Sequence, residues 1–265
     1  MNNYSWLQQK LHQLVLSSQF LREVTFDFEN SLISSGNESD DHVFVAGLAR
    51  SGTTILLNAI HESDEFASLS YTDMPFILAP NLWSKISFAK HGTNLVERAH
   101  GDGLKVSTKS PEAFEEVFWM TFNDKENVSA EKFKTFVQLI NHKYQKKRYL
   151  SKNNQNIRRL ELLSQIYPNS IILIPFREPA QHAFSLLIQH KKFIEDSKKD
   201  RFISDYMKWI GHTEFGPNYA PLANNDLTYE NDLDINHWIE QWYKVYKRCL
   251  EILESNPNVS FICYE

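Results

Sequence analysis

Cysteine is nearly missing from this 265-residue sequence, which holds only Cys249 and Cys263. Two thiols exclude a disulfide framework and a cysteine-rich zinc site, and they suit a reducing compartment, so a cytoplasmic protein is expected. No run of eighteen apolar residues occurs, and no membrane span is expected. The N-terminal stretch MNNYSWLQQKLHQLVLSS lacks the basic start and unbroken apolar centre of a signal peptide. There is no basic surplus either. A net charge of -5 excludes a dedicated nucleic-acid binder, while leaving room for a local cationic pocket. The ten histidines form no HExxH-like pattern, and no metal is expected. Internal repeats and low-complexity tracts are absent.

What is present is a succession of apolar runs separated by turn-forming residues. Trp6, Leu7, Leu11, Leu14 and Val15 recur at helical spacing and predict an amphipathic helix docked on its own domain. The polar link SGNESDD, residues 35–41, separates this N-terminal helical segment, 1–41, from a domain spanning 42–265. That domain opens with HVFVAG, a β-branched and aromatic run, followed by a glycine loop and the helical pattern TTILLNAIHES. A second strand, loop and helix unit lies at SIILIPFREPAQHAFSLLIQHKKF. Its nearly unbroken apolar start predicts a buried parallel strand, and Pro179 suits the first turn of the helix. RYLSKNN predicts a further short strand, IRRLELLSQIY a helix, HWIEQWYKVYKRCLEILES another helix, and VSFICYE a last core strand. Strands alternating with helices predict an α/β fold: a three-layer sandwich of the P-loop type with a central parallel sheet. Residues 71–108 and 211–235 show no clear period, as expected of lids or substrate-binding loops.

Ligands in such sheets sit at the carboxyl ends of the strands, and Arg50, Lys152, Arg177 and Tyr264 all fall at or just past those ends. The glycine loop VFVAGLARSGTT has the G-x-x-x-x-G spacing of a nucleoside-triphosphate loop, with Gly47, Gly52 and a Thr54 in register. The lysine that should follow Gly52 is missing; Thr53 replaces it, and the positive charge moves to Arg50. No strand ends in the carboxylate that magnesium would need. Such a loop, with backbone amides, Ser51, Thr53 and Thr54 at a helix start, suits an anion of smaller charge held directly by arginine.

On these residues the chain resembles the sulfotransferases. GLARSGTTILLNAI resembles their 5'-phosphosulfate loop, with Ala49 in place of the usual proline. Arg177 and Ser185, eight residues apart in FREPAQHAFS, resemble their 3'-phosphate segment. Lys152 in SKNN resembles the catalytic-lysine segment of tyrosylprotein sulfotransferases, and FICYE resembles the family's Tyr-Glu strand. The resemblance implies 3'-phosphoadenosine 5'-phosphosulfate as donor, bound by Arg50, Ser51, Gly52, Thr53, Thr54, Arg177, Ser185 and Tyr264. It implies transfer of a sulfuryl group to a hydroxyl or amine of a small-molecule, carbohydrate or peptide acceptor. Arg50 and Lys152 would stabilise the departing phosphate, and Asp73 in SYTDMPF would be the general base. Glu112 and Glu115 are alternative bases, and Lys109 a second cation. The chain stops at Glu265, so the family's usual C-terminal segment is expected to be lacking. Two rivals stand beside this reading: a P-loop kinase of small molecules using ATP, and a non-catalytic nucleotide-binding relative.

Overall fold

Val43–Val45 is the middle strand of the five-stranded sheet. The computed structural model describes residues 5–33, 39–87, 96–97, 105–122, 126–223 and 227–263. In chain order the helices are α1 (Trp6–Ser17), α2 (Gln19–Leu32), α3 (Thr53–His61), α4 (Pro80–Ile86), α5 (Glu116–Phe122) and α6 (Glu126–Tyr144). They continue with α7 (Leu160–Ile166), α8 (Pro179–Lys199), α9 (Arg201–Trp209) and α10 (Ile235–Leu253). The strands are β1 (Val43–Val45), β2 (Phe66–Ala67), β3 (Val96–Glu97), β4 (Lys105–Val106), β5 (Arg148–Lys152), β6 (Ile171–Phe176) and β7 (Val259–Cys263). The parallel sheet has the order β2-β5-β1-β6-β7, and β3 and β4 form a separate antiparallel pair. This is the α/β architecture with a central parallel sheet that the alternation of elements predicts.

By compactness the chain divides into two units, Met1–Ser39 with Ile60–Ser151 and Trp209–Gly211, and Asp40–Ala59 with Lys152–Lys208 and His212–Glu265. In the second unit, β1 pairs with β6 from Val43 opposite Ile171 to Val45 opposite Leu173, and β6 pairs with β7 from Ile172 opposite Val259 to Phe176 opposite Cys263. Val43, Phe44 and Val45 are all buried, as are Ile172 and Ile174, which explains why these strands read as continuous apolar runs rather than alternating ones. The helix after β6 begins where Pro179 stands at its first turn and the Glu178 carboxylate accepts from the Ala180 and Gln181 amides. α8 packs on α10, whose Trp238, Val245, Tyr246, Cys249 and Ile252 are buried.

The first unit is helical apart from β2 paired with β5 and the small antiparallel pair. Its core is aromatic: Phe26, Phe118, Phe122, Phe133 and Phe136 lie within about one ring of each other, with Phe118 stacked on Phe136 at 4.9 Å. The N-terminal segment holds two helices where the periodicity predicted one. α1 buries His12, Val15 and Leu16, but Trp6, Leu7 and Leu14 of the predicted apolar face are exposed. Residues 71–108 contain a 3-10 turn, Tyr71–Asp73, and α4, and the described part of 211–235 is irregular as expected.

Candidate functional site

The glycine loop leaves the end of β1 and turns sharply into α3. A side chain at Gly47 would fit tightly: a Cβ there would lie 3.3 Å from Ser51 Oγ and 3.4 Å from the Pro175 carbonyl of β6. Arg50 has φ of 71°, a left-handed conformation rare for a residue with a Cβ, and Gly52 has 95°. Ser51 is fully buried, and its hydroxyl donates to the Leu48 carbonyl at 2.8 Å, closing the turn. Thr53 is buried at the start of α3, and Thr54 is half-buried beside it. With the Leu56 amide already donating to the Gly52 carbonyl at 3.0 Å, helix bonding begins at once, and the amides just before it are the natural donors to an anion.

The second expected half-site meets this loop directly. Arg50 Nε donates to Ser185 Oγ at 3.3 Å, although 135 residues separate them. Arg177 Nη1 donates to the Arg50 carbonyl at 3.5 Å, and its Nη2 donates to Gln181 Oε1 at 3.4 Å. Arg50, Arg177 and Ser185 of α8 are all half-buried, and Arg50 is the one that touches both of the others. Lys152, at the end of β5, is buried, and the next residue donates its amide to the Val45 carbonyl at 3.0 Å, so this lysine starts from the same strand ends as the loop. Tyr264 lies outside the described residues.

One residue at this site was not assigned a role from sequence. His182 is fully buried on α8, and its Nε2–H donates to the Ala49 carbonyl at 2.8 Å, one peptide before Arg50. Nδ1 has no hydrogen-bond partner among the described residues. Burial, with Arg177 and Arg50 adding charge repulsion against the partial support of the Ala49 bond, pushes its pKa down to about 4. The ring is therefore neutral at pH 7. The sequence carried a signal for it: His182 lies three residues before Ser185, hence on the same helical face. Tyr246 of α10 backs the site too, donating to the Pro175 carbonyl at 2.9 Å.

The carboxylates considered as bases belong to the other unit. Asp73 is fully buried; its Oδ2 accepts from the Ser70 amide and the Tyr144 hydroxyl, each at 2.7 Å, and its Oδ1 is ion-paired with Lys143. Glu112 accepts from Tyr71 Oη at 3.1 Å, and Glu115 from Trp119 Nε1 at 2.9 Å and Tyr149 Oη at 3.2 Å; both are buried. Lys109 is exposed. Among the described residues no group of histidine, cysteine and carboxylate side chains is arranged to hold a metal.

The model of the sulfotransferase family matches residues 42–262. No curated protein sequence matches the chain. Among solved structures, sulfotransferase STF1 from Mycobacterium tuberculosis H37Rv is similar over 98% of this chain and 72% of its own, at 13% identity and a TM-score of 0.48. Sulfotransferase STF9 from Mycobacterium avium is similar over 97% of this chain and 79% of its own, at 12% identity and a TM-score of 0.42.

Proposed function

We propose, for a chain that belongs to the sulfotransferase family, that the sulfuryl donor is 3'-phosphoadenosine 5'-phosphosulfate and the acceptor a hydroxyl or amine of a small molecule, carbohydrate or peptide. The observation that supports this donor most is the meeting of Arg50 with Ser185 and Arg177. A nucleotide with phosphates at both ends of its ribose needs two cationic grips a short span apart, and these residues supply them. When bound, the donor brings a sulfuryl group on a phosphate leaving group. The chain's part is to cradle that phosphate with the amides of residues 52–54 and the hydroxyls of Thr53 and Thr54, while Ser51, whose amide and hydroxyl both donate to the Leu48 carbonyl, shapes the turn. Arg50 meets the charge that grows on the phosphate as the sulfur–oxygen bond breaks, with Lys152 as second cation. Arg177 and Ser185 take the 3'-phosphate through charge-assisted bonds, for which Arg50 Nε gives up its present contact with Ser185. For Asp73 to serve as the base, an acceptor hydroxyl must displace Lys143, Tyr144 or Ser70 from its carboxylate. Two free thiols, Cys249 and Cys263, suit a cytoplasmic site of action.

Titration with 3'-phosphoadenosine 5'-phosphate and with ADP tests the donor. The first should bind about 10- to 100-fold more tightly, the range expected of one or two charged hydrogen bonds. Arg177→Ala should erase that preference while leaving ADP affinity unchanged. Equal affinity of the unaltered protein for the two nucleotides would sink the reading.

A further inference from the structure

Three side chains between the end of β6 and the start of α8 hold Arg50. Its own Nε donates to Ser185 Oγ at 3.3 Å, Arg177 Nη1 donates to its carbonyl at 3.5 Å, and His182 Nε2–H donates to the Ala49 carbonyl at 2.8 Å. The last two bonds grip the two peptides that meet at the Arg50 Cα. The Ala49 carbonyl belongs to the peptide that turns with φ of Arg50, and the Arg50 carbonyl to the peptide that turns with ψ. Held together, they keep a residue with a Cβ at φ of 71°, a conformation that it disfavours by itself.

The Ala49 bond is the shorter of the two and it is dry, since Ala49 and His182 are both buried. The Arg177 bond lies at the limit of hydrogen-bonding distance, and Arg177 is only half-buried. When Arg177 turns to a 3'-phosphate, His182 is the clamp that stays. Packing alone does not account for an imidazole at this position. Its Nδ1 has no hydrogen-bond partner among the described residues, a penalty that an apolar side chain of similar size would avoid. Full burial also keeps Nδ1 from any acceptor, so the ring is not the base of the reaction.

We propose that His182 is a positioning residue: through the Ala49 carbonyl it holds Arg50 in the left-handed conformation that carries its guanidinium to the donor's 5'-phosphate. This role rests on the donor reading above, and it gives His182 no contact of its own with donor or acceptor.

Calorimetric titration with two nucleotides tests it: 3'-phosphoadenosine 5'-phosphate, and adenosine 3'-phosphate, which lacks the 5' group. The unaltered protein should bind the first about 10- to 100-fold more tightly, as one or two charged hydrogen bonds imply. His182→Gln brings an amide N–H to the place of Nε2–H and should keep that ratio within about threefold. His182→Asn carries the same amide one methylene short of Ala49. It should bring the ratio down to about 3 or less while adenosine 3'-phosphate binds as before. Should His182→Asn not fold, His182→Met, of similar volume and without a donor, makes the same comparison. A ratio that survives in the Asn or Met variant, a ratio lost in the Gln variant as well, or an equal loss of both nucleotides overturns the role of His182 and leaves the donor reading standing. Equal affinities in the unaltered protein overturn the donor reading of the loop, and the role of His182 with it.

Discussion

His182 holds its proton on Nε2 because the Ala49 carbonyl accepts it, and that single bond sets the peptide ahead of Arg50. A second proton on this buried ring has no partner and lies near two guanidiniums, hence the pKa of about 4 against an ordinary 6.5. The consequence for stability has a definite sign. The unfolded chain takes up the proton first, so His182 destabilises the fold as pH falls from 6.5 toward 4 and has no such effect above 6.5. The window spans a penalty on the order of 3 kcal/mol. His12, His61 and His190 are shifted the same way by burial and act in the same direction. Chemical denaturation at a series of pH values should therefore show falling stability between pH 6.5 and 5, above most carboxylate titration. His182→Gln keeps a donor for Ala49 without a titrating group, and should flatten that slope; an unchanged slope would mean that His182 is already neutral in the unfolded chain or charged in the folded one.

At the scale of elements, α4 shows how a helix with no cap of its own is held. Ala79 precedes it and offers no side-chain bond, yet the amides of Asn81 and Leu82 donate to Glu29 of α2 at 3.1 and 2.8 Å. The same carboxylate accepts from Asn81 Nδ2 at 2.7 Å, and Asn81 passes the contact on to the Leu139 carbonyl of α6 at 2.8 Å. Glu29 is fully buried with no basic partner among these contacts. The positive end of α4 and three N–H groups take that place. Glu29→Ala leaves those donors unsatisfied in a dry site, and should cost on the order of 3 kcal/mol, read as a lower urea midpoint with an unchanged slope. Glu29→Gln retains one acceptor oxygen and should lose less. This device was hidden in the sequence because the capping group comes from 52 residues upstream, whereas capping signals are sought within three or four residues.

Over the whole molecule, what was legible followed from local rules. A buried parallel strand must be apolar throughout, so β1 and β6 stood out, while β7, read as a core strand, lies at the sheet edge with only Val259 buried; a glycine loop between strand and helix must lie at the strand ends, so Arg50, Arg177 and Lys152 could be placed together. The contact between Arg50 and Ser185 was beyond those rules, because spacing sets a face and not a rotamer. Also illegible was the exposure of Trp6, Leu7 and Leu14 on α1, since periodicity finds an apolar stripe without saying whether anything covers it. The division into two interleaved units escaped as well, because each unit collects segments from distant parts of the chain. Ligand binding should register on the molecule as a whole. Product nucleotide at a hundred times its dissociation constant should stabilise the fold by about 2.7 kcal/mol, and added magnesium should make no difference. A thermal shift that requires magnesium would return the loop to the nucleoside triphosphates.

Arg50 occupies a backbone conformation that glycine adopts freely and arginine adopts at a penalty of roughly 1 kcal/mol or more. Selection for folding alone would thus drive this position toward glycine. On the role proposed for Arg50, a descendant that has abandoned chemistry should lose the guanidinium and grow sturdier by the same step. On that same role, persistence of arginine here across a lineage would record that the reaction is still under selection.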